Sequence, residues 1–195
     1  MTTSERARAE AWARRAPLVP EEWFFHRSWL HGASHTKRVH IHAQRLLEQL
    51  GWGDADAKLV LRAALWHDIG RVGDGIEPGH GAASAARADE LGLSVSLAPA
   101  EAAVVRFAIV RHSLRDRGAE DYASVLANDP DPMRRLAEPQ RALRILWLLK
   151  DADALDRIRL GYGEAADPAQ LRHPETEAHI PFASQLFAVL ARAAF

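Results

Sequence analysis

Cysteine is missing from all 195 residues. Its absence excludes a disulfide framework, a thiol nucleophile and a thiolate-held metal. Long apolar runs are missing too. No segment approaches the roughly 20 uninterrupted apolar residues that cross a bilayer, so no membrane span is expected. Nor is there a surplus of one charge. The formal net charge is -1 with histidine neutral, and the pairs Arg14/Arg15 and Arg134/Arg135 read as solvated helix faces. That balance gives no basic surface for nucleic acid or for acidic lipid. P-loop, dinucleotide fingerprint and base-stacking pattern are also absent. The stretch from Met1 to Ala16 is charged and has no apolar core, so it is not expected to be a signal peptide. These absences lead to the expectation of a cytoplasmic protein with neither nucleic-acid nor membrane partners.

What remains is a chain with enough apolar residues (48%) to bury a core, and with ten histidines. Periodicity and breakers predict helices throughout. Ser4 opens one that reaches Ala16 before Pro17 and Pro20, and the aromatic stretch Glu21 to Leu30 fits a second. Trp23, Phe24, Phe25 and Trp29 within it are expected to pack in the core. Ser34 caps a third helix to Leu50, and Asp54 caps a fourth to Ile69. Residues 70 to 80 hold four glycines and Pro78 and read as a surface loop. Further helices are expected at Gly81 to Leu91, Pro99 to Arg111, a short one before Asn128, Pro139 to Leu160 and Phe182 to Ala194, with Gly161 and Gly163 ending the longest. Leu93 to Leu97 alternates like a strand but has no partner, so the fold class is all-α, a single helical bundle. Residues 1–195 are expected to form one domain.

Chemistry concentrates at a few positions. Trp66-His67-Asp68-Ile69-Gly70 closes an apolar helix, so that a neutral nitrogen and a hard oxygen stand side by side, a donor mixture that suits divalent transition metals. His35 lies at the start of the third helix, and Asp151 and Asp153 lie late in the longest one. Leu146 and Leu149 precede Asp153 by seven and four positions and share its face, while Asp151 shares a face with Trp147 and Leu148. Periodicity alone separates these two aspartates only weakly.

The order of one His, a His-Asp pair and a distant Asp, with Arg38-Val39, Asp68-Ile69-Gly70 and Asp153-Ala-Leu-Asp around them, resembles the HD superfamily over about residues 31 to 165. The remaining helices at the two ends would pack on that core. The resemblance implies a metal-dependent phosphohydrolase acting on a small phosphorylated substrate, an ester or a nucleotide. It makes His35, His67, Asp68 and Asp153 the ligands of a divalent manganese, iron, cobalt, nickel or zinc, and selects Asp153 over Asp151. Some relatives add two histidines for a second metal, and His80 and His112 occupy those places in the order. Asp68 would also steer the attacking water, with Arg38 or Arg71 holding phosphate and Lys37 and Arg111 as further cations. Some nucleotidases carry Glu at the position of Arg71, so their mechanism does not transfer directly; Asp74 is a weak substitute. Asp156 with Arg157 reads as a structural ion pair, His42 as a packed core residue and His40 as exposed. His31 could line the cleft, while His26, His173 and His179 show no partner pattern. Two other functions compete: a di-iron oxygenase on the same ligands, and a non-catalytic nucleotide- or protein-binding bundle.

Overall fold

The computed structural model describes residues 3–132, 134–161 and 166–192. Eight α-helices and no strand occur among them: α1 (Thr3–Arg15), α2 (Ala33–Leu50), α3 (Asp54–Trp66), α4 (His80–Glu90), α5 (Pro99–His112), α6 (Ala119–Leu126), α7 (Pro139–Leu155) and α8 (Ile180–Arg192). The all-α reading of the sequence is thus what the chain adopts. No helix among the described residues is long and apolar enough to cross a membrane.

α7 is the centre of the packing and touches α2, α3, α5 and α6. Its apolar residues are spread around most of its circumference. Leu143, Ile145, Leu146, Leu148, Leu149, Ala152 and Leu155 are all at most 1% exposed, as expected of a helix enclosed by others. Each large aliphatic side chain buried there contributes about 1.5–3 kcal/mol by transfer from water. A second apolar cluster, Ala9, Ala13, Ile41, Phe182 and Leu186, joins α1 and α8 to the outer side of α2.

The alternation of helix directions matters for the site. α2 and α4 begin, and α3, α5 and α7 end, in one region of the bundle. Close approach there depends on glycine. A Cβ at Gly70 would lie 2.3 Å from the Ala83 carbonyl carbon, and one at Gly81 would lie 2.5 Å from the Ile109 carbonyl oxygen. Neither crossing, turn on α4 or α4 on α5, admits a larger residue without a backbone shift.

Several boundaries differ from the sequence reading. Of the expected helix at Glu21 to Leu30, only a 3-10 turn at Glu21–Trp23 forms. The chain leaves helical geometry there so that Phe25 N–H can donate to the Ile69 carbonyl (3.2 Å), across to the His-Asp turn. The aromatics divide accordingly: Phe24 is buried, whereas Phe25 and Trp29 are 53% and 71% exposed. α2 is preceded by Gly32 and α3 by Gly53, so Ser34 and Asp54 lie inside the first turns and make no side-chain cap. α3 stops at Trp66 because residues 67–70 turn, with Arg71 N–H donating to the Asp68 carbonyl. α4 starts at His80, one residue before the expected Gly81. Leu93 to Leu97 forms turns closed by Val95 N–H to Gly92 O and Leu97 N–H to Ser94 O. α7 tightens into a 3-10 turn at Asp156–Leu160, which Gly161 ends with φ 78°. Gly163, expected to share that role, and Ala194, the expected end of the last helix, lie outside the described residues.

His42 is fully buried with neither ring nitrogen bonded, as the packed-core reading expects, and Phe182 meets it edge-on. His40 corrects the sequence reading: it is only 7% exposed, because the chain segments around α2 cover more of that helix than its apolar stripe implies. Burial pushes the imidazole of His42 down to about 3 and that of His40 down to about 4. The unfolded chain takes up these protons near 6.5, whereas the folded chain refuses them until well below that value. Their contribution to stability is therefore complete above pH 6.5 and is lost as pH falls toward 4 and 3. Urea unfolding at pH 7 and pH 5 is expected to show a loss on the order of 2 kcal/mol for each. His42→Leu should remove its share of that difference, and an unchanged pH dependence would refute the assignment.

Candidate metal centre

Five helix ends deliver the polar cluster. His35 comes from the first turn of α2, His67 from the residue after α3, His80 from the start of α4, His112 from the end of α5, and Asp153 from the last turn of α7. Two of the histidines are tethered in the same way. Nδ1–H of His67 donates to Ala64 O (2.8 Å) and that of His112 to Ile109 O (2.6 Å), and His80 Nδ1 lies against Glu77 O and Arg71 Nη1. For His67 and His112 the acceptor is three residues back, a carbonyl that the ending helix leaves unpaired. His35 donates from Nδ1 to Asp156 Oδ2 at 2.7 Å. These bonds fix the tautomers of His35, His67 and His112 and leave their Nε2 atoms as bare lone pairs.

The lone pairs converge. His35 Nε2 faces His67 Nε2 at 3.1 Å, and His80 Nε2 faces His112 Nε2 at 2.9 Å. His35 and His67 are both acceptors at Nε2 and cannot satisfy each other at that distance. Asp68 lies between the pairs. Its Oδ2 is 3.5 Å from His35 Nε2 and 3.8 Å from His67 Nε2, while its Oδ1 is 3.1 Å from His80 Nε2 and 3.5 Å from His112 Nε2. Oδ1 is buried and has no aligned hydrogen-bond donor. Asp153 Oδ1 stands 3.4 Å from His35 Nε2. Three overlapping groups, His31/His35/Asp68, His35/His67/Asp153 and His67/Asp68/His112, each hold their ligand atoms within 4.8 Å of one another. Facing lone pairs around an orphaned carboxylate oxygen are a fit to a divalent cation, which would satisfy them together.

The electrostatics agree. Burial pushes His67 down to about 3, so it is neutral and able to donate its lone pair. Burial by itself would raise Asp68, but the imidazoles that crowd it, His67 foremost, hold it well below the usual carboxylate range.

A match to the family model of the HD domain covers residues 32–158. The chain belongs to the HD domain family. HD domains bind divalent metals and are commonly metal-dependent phosphohydrolases. Comparison with curated proteins and with solved structures found no match.

The structure thus brings together all six ligand candidates of the sequence reading, and it separates the two late aspartates. Asp151 faces elsewhere, fully buried, where it accepts from the backbone N–H groups of Arg172 and His173 and from the His173 ring. Asp156 is a correction: its partners here are Arg38 and His35. Arg38 grips it with Nε to Oδ1 at 2.6 Å and Nη2 to Oδ2 at 2.9 Å. Asp156 follows Asp153 by three positions and so lies on the same side of α7. Arg38 is therefore spent on Asp156, 2% exposed, rather than open to a phosphate. Arg71 keeps a place on the cleft but also braces the glycine loop, donating to Gly73 O (3.3 Å) and Gly75 O (2.6 Å), with Nη1 2.9 Å from His80 Nδ1. Asp74 is engaged by Ser28 and His26 at the rim. Arg111 turns to the Tyr122 ring and Arg115 O, and Lys37 lines neither cavity at the cluster.

Two residues gain importance beyond the sequence reading. His31 Nδ1 lies 3.2 Å from Asp68 Oδ2. Arg159, from the same 3-10 turn as Asp156, reaches within 3.9 Å of Asp153 and 3.4 Å of His31. No periodic signal marks either, because a tertiary approach and a local tightening of the helix bring them in.

Asp156→Asn is expected to weaken metal binding by about 10–100-fold, as loss of a carboxylate behind a ligating histidine does. Competition against a chromophoric chelator measures it, with circular dichroism to verify folding. Unaltered affinity would show that Asp156 only holds Arg38.

Proposed function

We propose that this protein is a phosphohydrolase that uses a metal-activated water to release phosphate from a small phosphorylated substrate. The observation that carries the reading is the pair of facing imidazole couples with one carboxylate between them. His35, His67, Asp153 and one oxygen of Asp68 would hold one metal; His80, His112 and the other oxygen of Asp68 would hold a second. Manganese, iron, cobalt, nickel or zinc suits such nitrogen-rich ligation better than magnesium. Bound there, the metal supplies a water of lowered pKa and neutralises charge that builds on the phosphoryl group.

The protein's own groups do the rest. Asp68, already ionised, steers the water toward the phosphorus. Arg71 and Arg159 flank the cluster and hold phosphate oxygens from the cavity wall. Arg38 acts at one remove, by fixing the carboxylate that orients His35. The cavities beside the cluster, about 380 and 240 Å³, suit a small molecule, and the net charge of -1 suits neither a nucleic-acid nor a lipid partner.

Metal analysis of the purified protein, followed by a phosphate-release screen over nucleotides and small esters, tests the proposal. No release with any of the five metals would refute it. The six-donor set also favours one other chemistry, a di-iron oxygenase. Iron content with oxygen consumption and no phosphate release would replace the hydrolase reading with that one.

A further inference from the structure

The larger of the two cavities at the cluster, about 380 Å³, changes character along its length. Its inner end carries His31 and His80, both against Asp68, together with Arg71 and Arg159. These two arginines are nearly buried. The mouth is different. Ile76 lines it and is 98% exposed, and Pro78 and Leu160 add further apolar wall. The carboxylates on the cavity wall, Asp74 and Glu77, belong to the same loop as Ile76, and they disfavour an anion at that end.

A lone exposed isoleucine is ordinary on a protein surface. This one is held where it is. Arg71 braces the chain before it through the carbonyls of Gly73 and Gly75, and Ser28 donates to Asp74. Beyond it, Ser113 Oγ donates to Pro78 O at 3.1 Å, and Glu77 accepts from Val72 N–H at 3.3 Å, which closes the loop on itself. With both flanks tied, the loop presents Ile76 at the cavity mouth, where almost nothing in the chain covers it. An apolar group that settled there would leave water together with Ile76, whereas a charged one would meet two carboxylates.

We infer that the preferred substrate is a phosphate ester whose organic group is uncharged and apolar. Its phosphoryl group sits at the metal cluster beside Arg71 and Arg159, and its organic group lies against Ile76, Pro78 and Leu160 at the cavity mouth. Ile76 is then a specificity-determining residue. This rests on the phosphohydrolase reading and narrows it to a substrate class.

Three non-hydrolysable probes separate the contributions: methylphosphonate, pentylphosphonate and 4-phosphonobutyrate, the last similar in length to the second but ending in a carboxylate. Their affinities for manganese-loaded protein are measured by titration calorimetry. Pentylphosphonate is expected to bind about tenfold more tightly than methylphosphonate, about 1.4 kcal/mol, and more tightly than 4-phosphonobutyrate. In Ile76→Ser the pentyl-to-methyl ratio should fall toward one, with the affinity for methylphosphonate unchanged. The side chain is almost wholly exposed, so this variant keeps the fold. Equal binding of the methyl and pentyl probes by wild-type protein, tighter binding of 4-phosphonobutyrate, or a ratio unchanged in Ile76→Ser overturns the inference and leaves the hydrolase reading standing. If none of the three binds, both fall.

Discussion

Protein in which Asp68 is replaced by alanine is expected to lose metal from both halves of the centre and, with it, phosphate release. Asp68 stands between four proposed ligand histidines, with Oδ2 toward His35 and His67 and Oδ1 toward His80 and His112. No second carboxylate reaches both pairs among the described residues, since Asp153 approaches only the first. The loss should exceed the roughly 10–100-fold that follows removal of an outer partner of a ligand. Elemental analysis per chain and an initial-rate assay read it, and circular dichroism reports whether the helices persist. Turnover at the wild-type rate by this variant would defeat the hydrolase mechanism.

The double replacement His80→Ala with His112→Ala has the next largest expected effect. Metal content should fall from two ions per chain to one, because His35, His67 and Asp153 keep the other half intact. Activity should fall by at least about tenfold, since paired metals stabilise both the attacking and the leaving oxygen. A fall in activity with unchanged metal content would sink the dinuclear arrangement and leave the two histidines as substrate contacts.

How much of this was readable beforehand depends on how each residue arrives. His35, His67, Asp68 and Asp153 could be read because each lies on a helix or within two residues of its end, and the order of such residues along the chain survives in the sequence. Asp156 and Arg159 could not be. Asp156 lies three positions after Asp153, but the sequence also offers it the adjacent Arg157, and only the fold sets it against His35 and Arg38, with Arg159 near His31. The aromatic stretch after Glu21 misled for a similar reason. Its apolar content fits a helix, but the backbone bond from Phe25 to Ile69 and the contact of Arg87 with Trp23 O reward an irregular path. His40 looked exposed because helical periodicity records only one packing partner, whereas α2 contacts α1, α3, α7 and α8.

The Arg38–Asp156 pair has one more neighbour. The guanidinium of Arg38 lies 5.2 Å from the centroid of the Phe187 ring, which belongs to α8. From that ring the line runs through Arg38 to Asp156 and on to Nδ1 of His35. The last helix thus has a hand on the grip of the first ligand, though it supplies no donor atom itself. Anything that lifts α8 away, whether a shortened chain, a fused tag or a docking protein, would admit water to the guanidinium and loosen the carboxylate behind His35. The effect would be felt as a weaker hold on metal at the opposite end of that relay.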